Sequence, residues 1–155
     1  MKPNKTALFI LAMVFIASCS KEDDKPKKDD SELLTASPWI PISQTISPEL
    51  ILFGDTIRDL LKDGCLKDNY TVFKSNDSGY VDEGPTKCKS FDPQRSTFYW
   101  HIGTYWFEKV LVISNAFCTV RQLDEQTLIF ERGIDGKSIG GKQGVNYTVT
   151  ETYKH

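Results

Sequence analysis

Four cysteines are the residues of this chain best equipped for chemistry, and Cys19 stands in the most specific setting. Ile16-Ala17-Ser18-Cys19 closes an apolar run, Ala7 to Ala17, that follows a basic start carrying Lys2 and Lys5. Eleven apolar residues fall short of the ~20 a spanning helix needs, so 1–18 reads as a signal peptide. A cysteine directly after Ala-Ser is what lipoprotein signal peptidase recognises, which makes Cys19 the expected site of lipidation. Each buried CH₂ contributes about 0.8 kcal/mol, so several chains of palmitate length hold a protein durably where one does not.

The other three are Cys65, Cys88 and Cys118. An exported chain meets an oxidising compartment, and Cys65–Cys88 is the expected disulfide. The rival pairing uses Cys118, whose setting Phe117-Cys118-Thr119-Val120 instead suggests a small buried apolar group on a strand. A three-cysteine metal site is a poor third: no Cys-x-x-Cys occurs, and His101 and His155 lie far off in sequence. No cofactor and no metal are expected.

Other tempting spacings are weak. Gly136-Lys137-Ser138 ends like a phosphate-binding loop, but the first glycine of that motif would fall on Glu131 and no helix should follow. Asp55, Asp59 and Asp63 recur every four residues and read as one solvated helical face. Calcium would need oxygens converging from several directions. Asp82-Glu83 reads as turn residues and His101, beside Trp100, as a structural histidine. With no serine–histidine–acid arrangement or carboxylate pair indicated, an enzyme is not expected.

Positioning elements come next. From Ser20 to Ala36 there are four lysines, six acids and little apolar content. Such a stretch should not fold, so 19–36 is expected to be a flexible acidic tether. Lys2 and Lys5 belong to the leader, so 17 of the 19 basic side chains remain against 21 acids, net −4. No basic stripe is left for nucleic acid. Residues 37–155 have single-domain length and alternate short β-rich runs with turn residues. Eight strands are predicted, at 39–46, 69–74, 79–82, 97–102, 109–114, 118–123, 127–132 and 146–153. One short helix is predicted after the first strand, capped by Asp55, with Ile57, Leu60 and Leu61 as its stripe and Gly64 at its end. Turns are predicted at Asn76-Asp77-Ser78-Gly79, at Asp124-Glu125 and after Gly103, and the five glycines of 133–144 make a long loop. An all-β, antiparallel up-and-down barrel accounts for this pattern, with a β-sandwich as the alternative.

Several residues carry a resemblance: Trp39 on the first strand, Asp59-Leu60-Leu61, Cys65 to Phe73, Asp82-Glu83-Gly84, Cys88, Trp100, and Tyr147 to Tyr153. In this order they resemble the lipocalin-like domain of small Bacteroidota surface lipoproteins, over essentially the whole of 37–155. Lys154 is the nearest counterpart of the basic residue that packs on the lipocalin tryptophan, and the glycine two residues before that tryptophan is replaced by Ser37. Lys21-Glu22-Asp23-Asp24 resembles the signal that sends such lipoproteins to the outer face of the outer membrane, and Asp55-Thr56-Ile57 resembles their O-glycosylation motif. The resemblance implies a small cup binding an apolar small molecule or glycan fragment. Phe98 and Trp100 share one strand face, Leu128 and Phe130 another, and Tyr147 and Val149 a third. Such faces fill a core or line a pocket. The candidate ligand-binding residues are Phe53, Tyr70, Phe98, Trp100, Tyr105, Trp106, Phe130 and Tyr147, with a mouth formed by the 53–64 lid, the Tyr105–Phe107 tip and the glycine loop. The alternative is a filled barrel acting as a non-catalytic scaffold, docking a surface protein through Tyr105-Trp106-Phe107.

Overall fold

The computed structural model describes residues 27–61 and 64–155. The expected leader, Cys19 and the first part of the expected tether lie outside the described residues.

The described chain is all-β apart from one short helix and two 3₁₀ turns. In order it forms α1 (Asp30–Thr35), β1 (Ile40–Leu52), β2 (Asp55–Asp59), β3 (Tyr70–Phe73), β4 (Ser78–Asp82) and β5 (Arg95–Tyr105). These are followed by β6 (Glu108–Ile113), β7 (Ala116–Leu123), β8 (Thr127–Asp135) and β9 (Asn146–Lys154). The nine strands make one antiparallel sheet in the order β2-β1-β9-β8-β7-β6-β5-β4-β3. It curls into a half-barrel, and a single antiparallel bridge between Trp39 and Thr71 joins the lead-in of β1 to β3. Both of its backbone hydrogen bonds are 2.8 Å.

Strand direction gives the barrel two ends. Because β5 runs antiparallel to β1, the β5–β6 and β7–β8 turns share the end where β1 begins. The β1–β2 and β6–β7 turns and the glycine-rich connection after β8 lie at the other end.

Three expectations are corrected. Where a helix was expected over 55–64, Asp55–Asp59 is a strand: β2 pairs with β1 through Leu50–Ile57, Ile51–Thr56 and Leu52–Asp55. Phe53 and Gly54 both take positive φ, 52° and 90°, which turns the chain in two residues and lays the β-branched Thr56-Ile57 onto β1. Asp55, the expected cap, pairs with Leu52 on the sheet, and Asp59 accepts from the Leu61 amide at 2.9 Å. Second, Asp30–Thr35, expected to belong to a flexible tether, is helical. Asp29 and Glu32 form a reciprocal capping box on α1, whose Leu33 and Leu34 are buried. Third, the sheet has nine strands, and β5 continues through Gly103 to Tyr105.

The turns near Asp77 and Asp124 form as expected, Asp124 accepting from the amides of Gln126 and Thr127 at 2.8 and 2.9 Å. Alternation along the strands sends Phe73, Phe98, Trp100, Leu111, Leu128 and Phe130 into the main core with Leu34 and Trp39. Ile46, Leu50, Tyr147 and Val149 build a second core where β1 meets β9. The residue packed on Trp39 is His155, ring centroids 3.7 Å apart and planes tilted by 33°, while Lys154 is exposed.

Candidate functional site

Within the main core the barrel interior is not filled. A cavity of about 240 Å³ is walled on one side by Phe73, Val81 and Phe98 and on the other by Leu128 and Phe130, with Cys118 between them. It includes exposed Ala116 beside the β6–β7 turn, so it reaches the surface at the end remote from α1. The cavity survives because its aromatic walls support each other. Phe73 meets Phe98 and Trp100 edge to face at 5.5 and 5.4 Å, and Phe130 stacks on Tyr153 at 5.7 Å.

One patch of the wall is polar. Glu151 Oε1 accepts from Arg132 Nε at 2.7 Å, and its Oε2 accepts from the Tyr153 hydroxyl at 2.7 Å. A buried carboxylate is costly unless its charge is matched and both oxygens are hydrogen-bonded. Arg132 and Tyr153 meet both conditions. Burial and the adjacent Glu151 charge hold the Tyr153 hydroxyl well above its ordinary pKa. Burial, with a smaller push from Glu151, raises the Cys118 thiol to about 11, so Cys118 is a neutral, inert wall group.

A smaller void of about 130 Å³ adjoins this one and shares Thr71, Val81, Glu151 and Tyr153 with it. Its outer wall is Leu61 and Leu66, which lie over the gap where β1 and β3 are joined only at Trp39. Cys65, in the 3₁₀ turn Gly64–Leu66, is disulfide-bonded to Cys88, Cα–Cα 5.1 Å. The expected pairing is thus present, and it fastens the cover of that gap to the loop after β4.

The eight candidate ligand residues do not converge. Phe98 and Phe130 line the cavity. Trp100 is buried beside it, its Nε1 donating to the carbonyls of Lys74 and Ser78 at 3.1 and 3.0 Å, and so closes the β3–β4 turn. Tyr147 belongs to the second core. Tyr70 lies on the outer face against Tyr80, and Phe53 is exposed at the β1–β2 turn. Tyr105 and Trp106 are exposed at the opposite end from Phe53 and the glycine loop, so the expected three-part mouth does not form. On the outer face Asp82 accepts from Arg95 and Gln94 at 2.7 Å each, and chiefly the Arg95 guanidinium holds its carboxyl far below the usual range. It is a structural knot, and Asp82 is the last residue of β4 where a turn was expected.

Sequence reasoning missed Arg132, Glu151 and Tyr153. Their signal was there: 128-130-132 and 147-149-151-153 each keep one strand face, so the charges fall in the inward register. Among the described residues no group of three or more histidine, cysteine, aspartate or glutamate side chains could hold a metal. Compared with known proteins, the chain matches no family model, no curated protein and no solved structure.

Proposed function

We propose that the chain is a lipid-anchored, lipocalin-like binding module of the outer cell surface, held by acylated Cys19. It takes a small, mostly apolar molecule bearing a hydroxyl. In this reading the functional ring is eight strands, β1 and β3–β9, closed at Trp39–Thr71, with β2 lying outside it as a flap. The observation that carries the proposal is an apolar cavity of about 240 Å³ with one matched ion pair in its wall. A cavity of about 150 Å³ accepts benzene, so this one suits a single ring or a short chain and is small for a glycan fragment. The Arg132–Glu151 pair offers a donor and an acceptor without net charge, which suits a hydroxyl better than a free acid or amine.

Native mass spectrometry of the protein from its own cells tests this reading. A co-purifying molecule is expected on the wild type and much less of it on Cys118→Leu, whose larger side chain protrudes into the cavity. Bound mass undiminished on a folded Cys118→Leu variant, or none on the wild type, overturns it. Intact mass of the same preparation reads acylation at Cys19.

A further inference from the structure

Tyr105 at the end of β5 and Trp106 and Phe107 in the β5–β6 turn are 66, 77 and 98 % exposed. Trp106 and Phe107 both hold positive φ, 49° and 70°. Glycine or asparagine would make this turn without the strain of two aromatic residues in the left-handed region. Neither the barrel core nor the cavity uses these three side chains.

Their place in the molecule suggests what covers them. Lys109, two residues past the tip, reaches Asp30 of α1 at 2.6 Å, and Lys28 reaches Glu125 of the neighbouring β7–β8 turn at 3.0 Å. The chain therefore enters the domain at the end that bears the tip. Cys19 precedes Lys27 by eight residues, a span of at most about 26–29 Å even fully extended. A nine-residue strand such as β8 or β9 is about 30 Å long. A lipid on Cys19 thus reaches the bilayer easily from this end, and from the other only if the whole span ran the length of the barrel. Lys28, Lys109 and Arg121 at this end are paired with Glu125, Asp30, Glu108 and Glu131, so the aromatic side chains and not these charges make the contact.

Resting on the lipidation of Cys19 given above, we propose that Tyr105, Trp106 and Phe107 seat in the headgroup boundary of the bilayer holding that lipid. Tyrosine and tryptophan favour this layer, and phenylalanine buries apolar area below it. The domain then stands with its β5–β6 turn on the membrane and the Ala116 opening of the cavity facing away.

Tryptophan fluorescence reads this directly, since Trp39 and Trp100 are 0 and 5 % exposed and Trp106 is the exposed one of the three. Two samples share phosphatidylethanolamine–phosphatidylglycerol vesicles containing dibrominated phosphatidylcholine. One is the acylated chain. The other is a Cys19→Ala chain from residue 19 onward, held on nickel-chelating lipid by an N-terminal hexahistidine. Brominated lipid is expected to quench the Trp106 emission at least twofold in both, with acrylamide access falling on membrane contact. Trp106→Phe should remove the quenched component, and Phe107→Ser should weaken it. Quenching of the hexahistidine sample with no acyl mass on the native chain supports the tip and sinks the lipidation reading. Acylated protein whose Trp106 stays open to acrylamide and blind to brominated lipid overturns the tip, as does shielding that arises only with a protein partner.

Discussion

Asp82 and Gly79 show how much a single position on β4 decides. The Asp82 carboxyl is held far below its ordinary pKa by Arg95, then by Gln94 and the Gly84 amide. A depressed carboxyl adds stability above its unfolded pKa, near 4, and that contribution is lost as pH falls through the folded value. Asp82→Asn is therefore expected to lower the urea midpoint at neutral pH and to flatten its decline from about pH 5 to about pH 2. An unchanged acid slope would deny Asp82 this role. Gly79 faces the Phe98 ring, and an added Cβ would lie 2.4 Å from ring carbons and 2.6 Å from the Val72 carbonyl. Gly79→Ala should cost about 1–3 kcal/mol through displacement of Phe98, read by thermal or urea melts. Trp100→Phe takes the indole donor from the Lys74 carbonyl, while the Ser78 carbonyl keeps the Lys74 amide at 2.8 Å, so its expected effect is on stability, about 1–3 kcal/mol.

At the scale of elements, β8 and β9 carry the one polar contact of the cavity. Arg132→Met strips the partner from a buried carboxylate and should cost about 2–4 kcal/mol, less than for a wholly buried pair because Arg132 is partly exposed. Adding Glu151→Leu should restore most of that loss, since no charge is then left unmatched. If the pair serves recognition, the double variant folds and loses the hydroxylated ligand; retained binding would mean the pair only supports the barrel. The element level is also where sequence and structure part. Period-two alternation identified the inward faces of β5, β8 and β9, because side chains on a strand must alternate. The 55–64 segment misled because Ile57, Leu60 and Leu61 satisfy a helical stripe and a short strand followed by a turn equally well. What decides is the reversal at Phe53-Gly54, and nothing in the type of Phe53 announces a positive φ. The α1 helix was legible: Asp29 and Glu32 form a capping box ahead of Leu33-Leu34, masked by the charge of the stretch around them. The polar patch was legible too, as charges in the register of Leu128 and Val149. The cavity was not, since its size depends on how Phe98, Phe130 and Tyr153 pack across strands far apart in sequence.

For the whole molecule, the disulfide matters by where it sits. Cys65–Cys88 closes a separation of 23 residues, worth roughly 3 kcal/mol on the chain-entropy model. A Cys65→Ala, Cys88→Ala variant should lose about that much, and its amide exchange should quicken first around Leu61, Leu66 and Asn69. Uniform quickening over all strands would mean the bridge stabilises the barrel generally and does not hold a local cover. The double-sided sheet edge is guarded as well: β2 places Asp55, Arg58 and Asp59 at its exposed positions, which discourages pairing with another chain.

The bridge between Trp39 and Thr71 lies four residues beyond α1, on the stretch of chain that comes from the N-terminus. A pull applied through that terminus passes first to α1 and then to this pair of hydrogen bonds. The strand pairings and the sulfur link lie behind it. Drag on a tethered molecule would therefore part the barrel along a defined slit, beside the wall formed by Thr71, Glu151 and Tyr153, while the rest of the sheet stayed zipped.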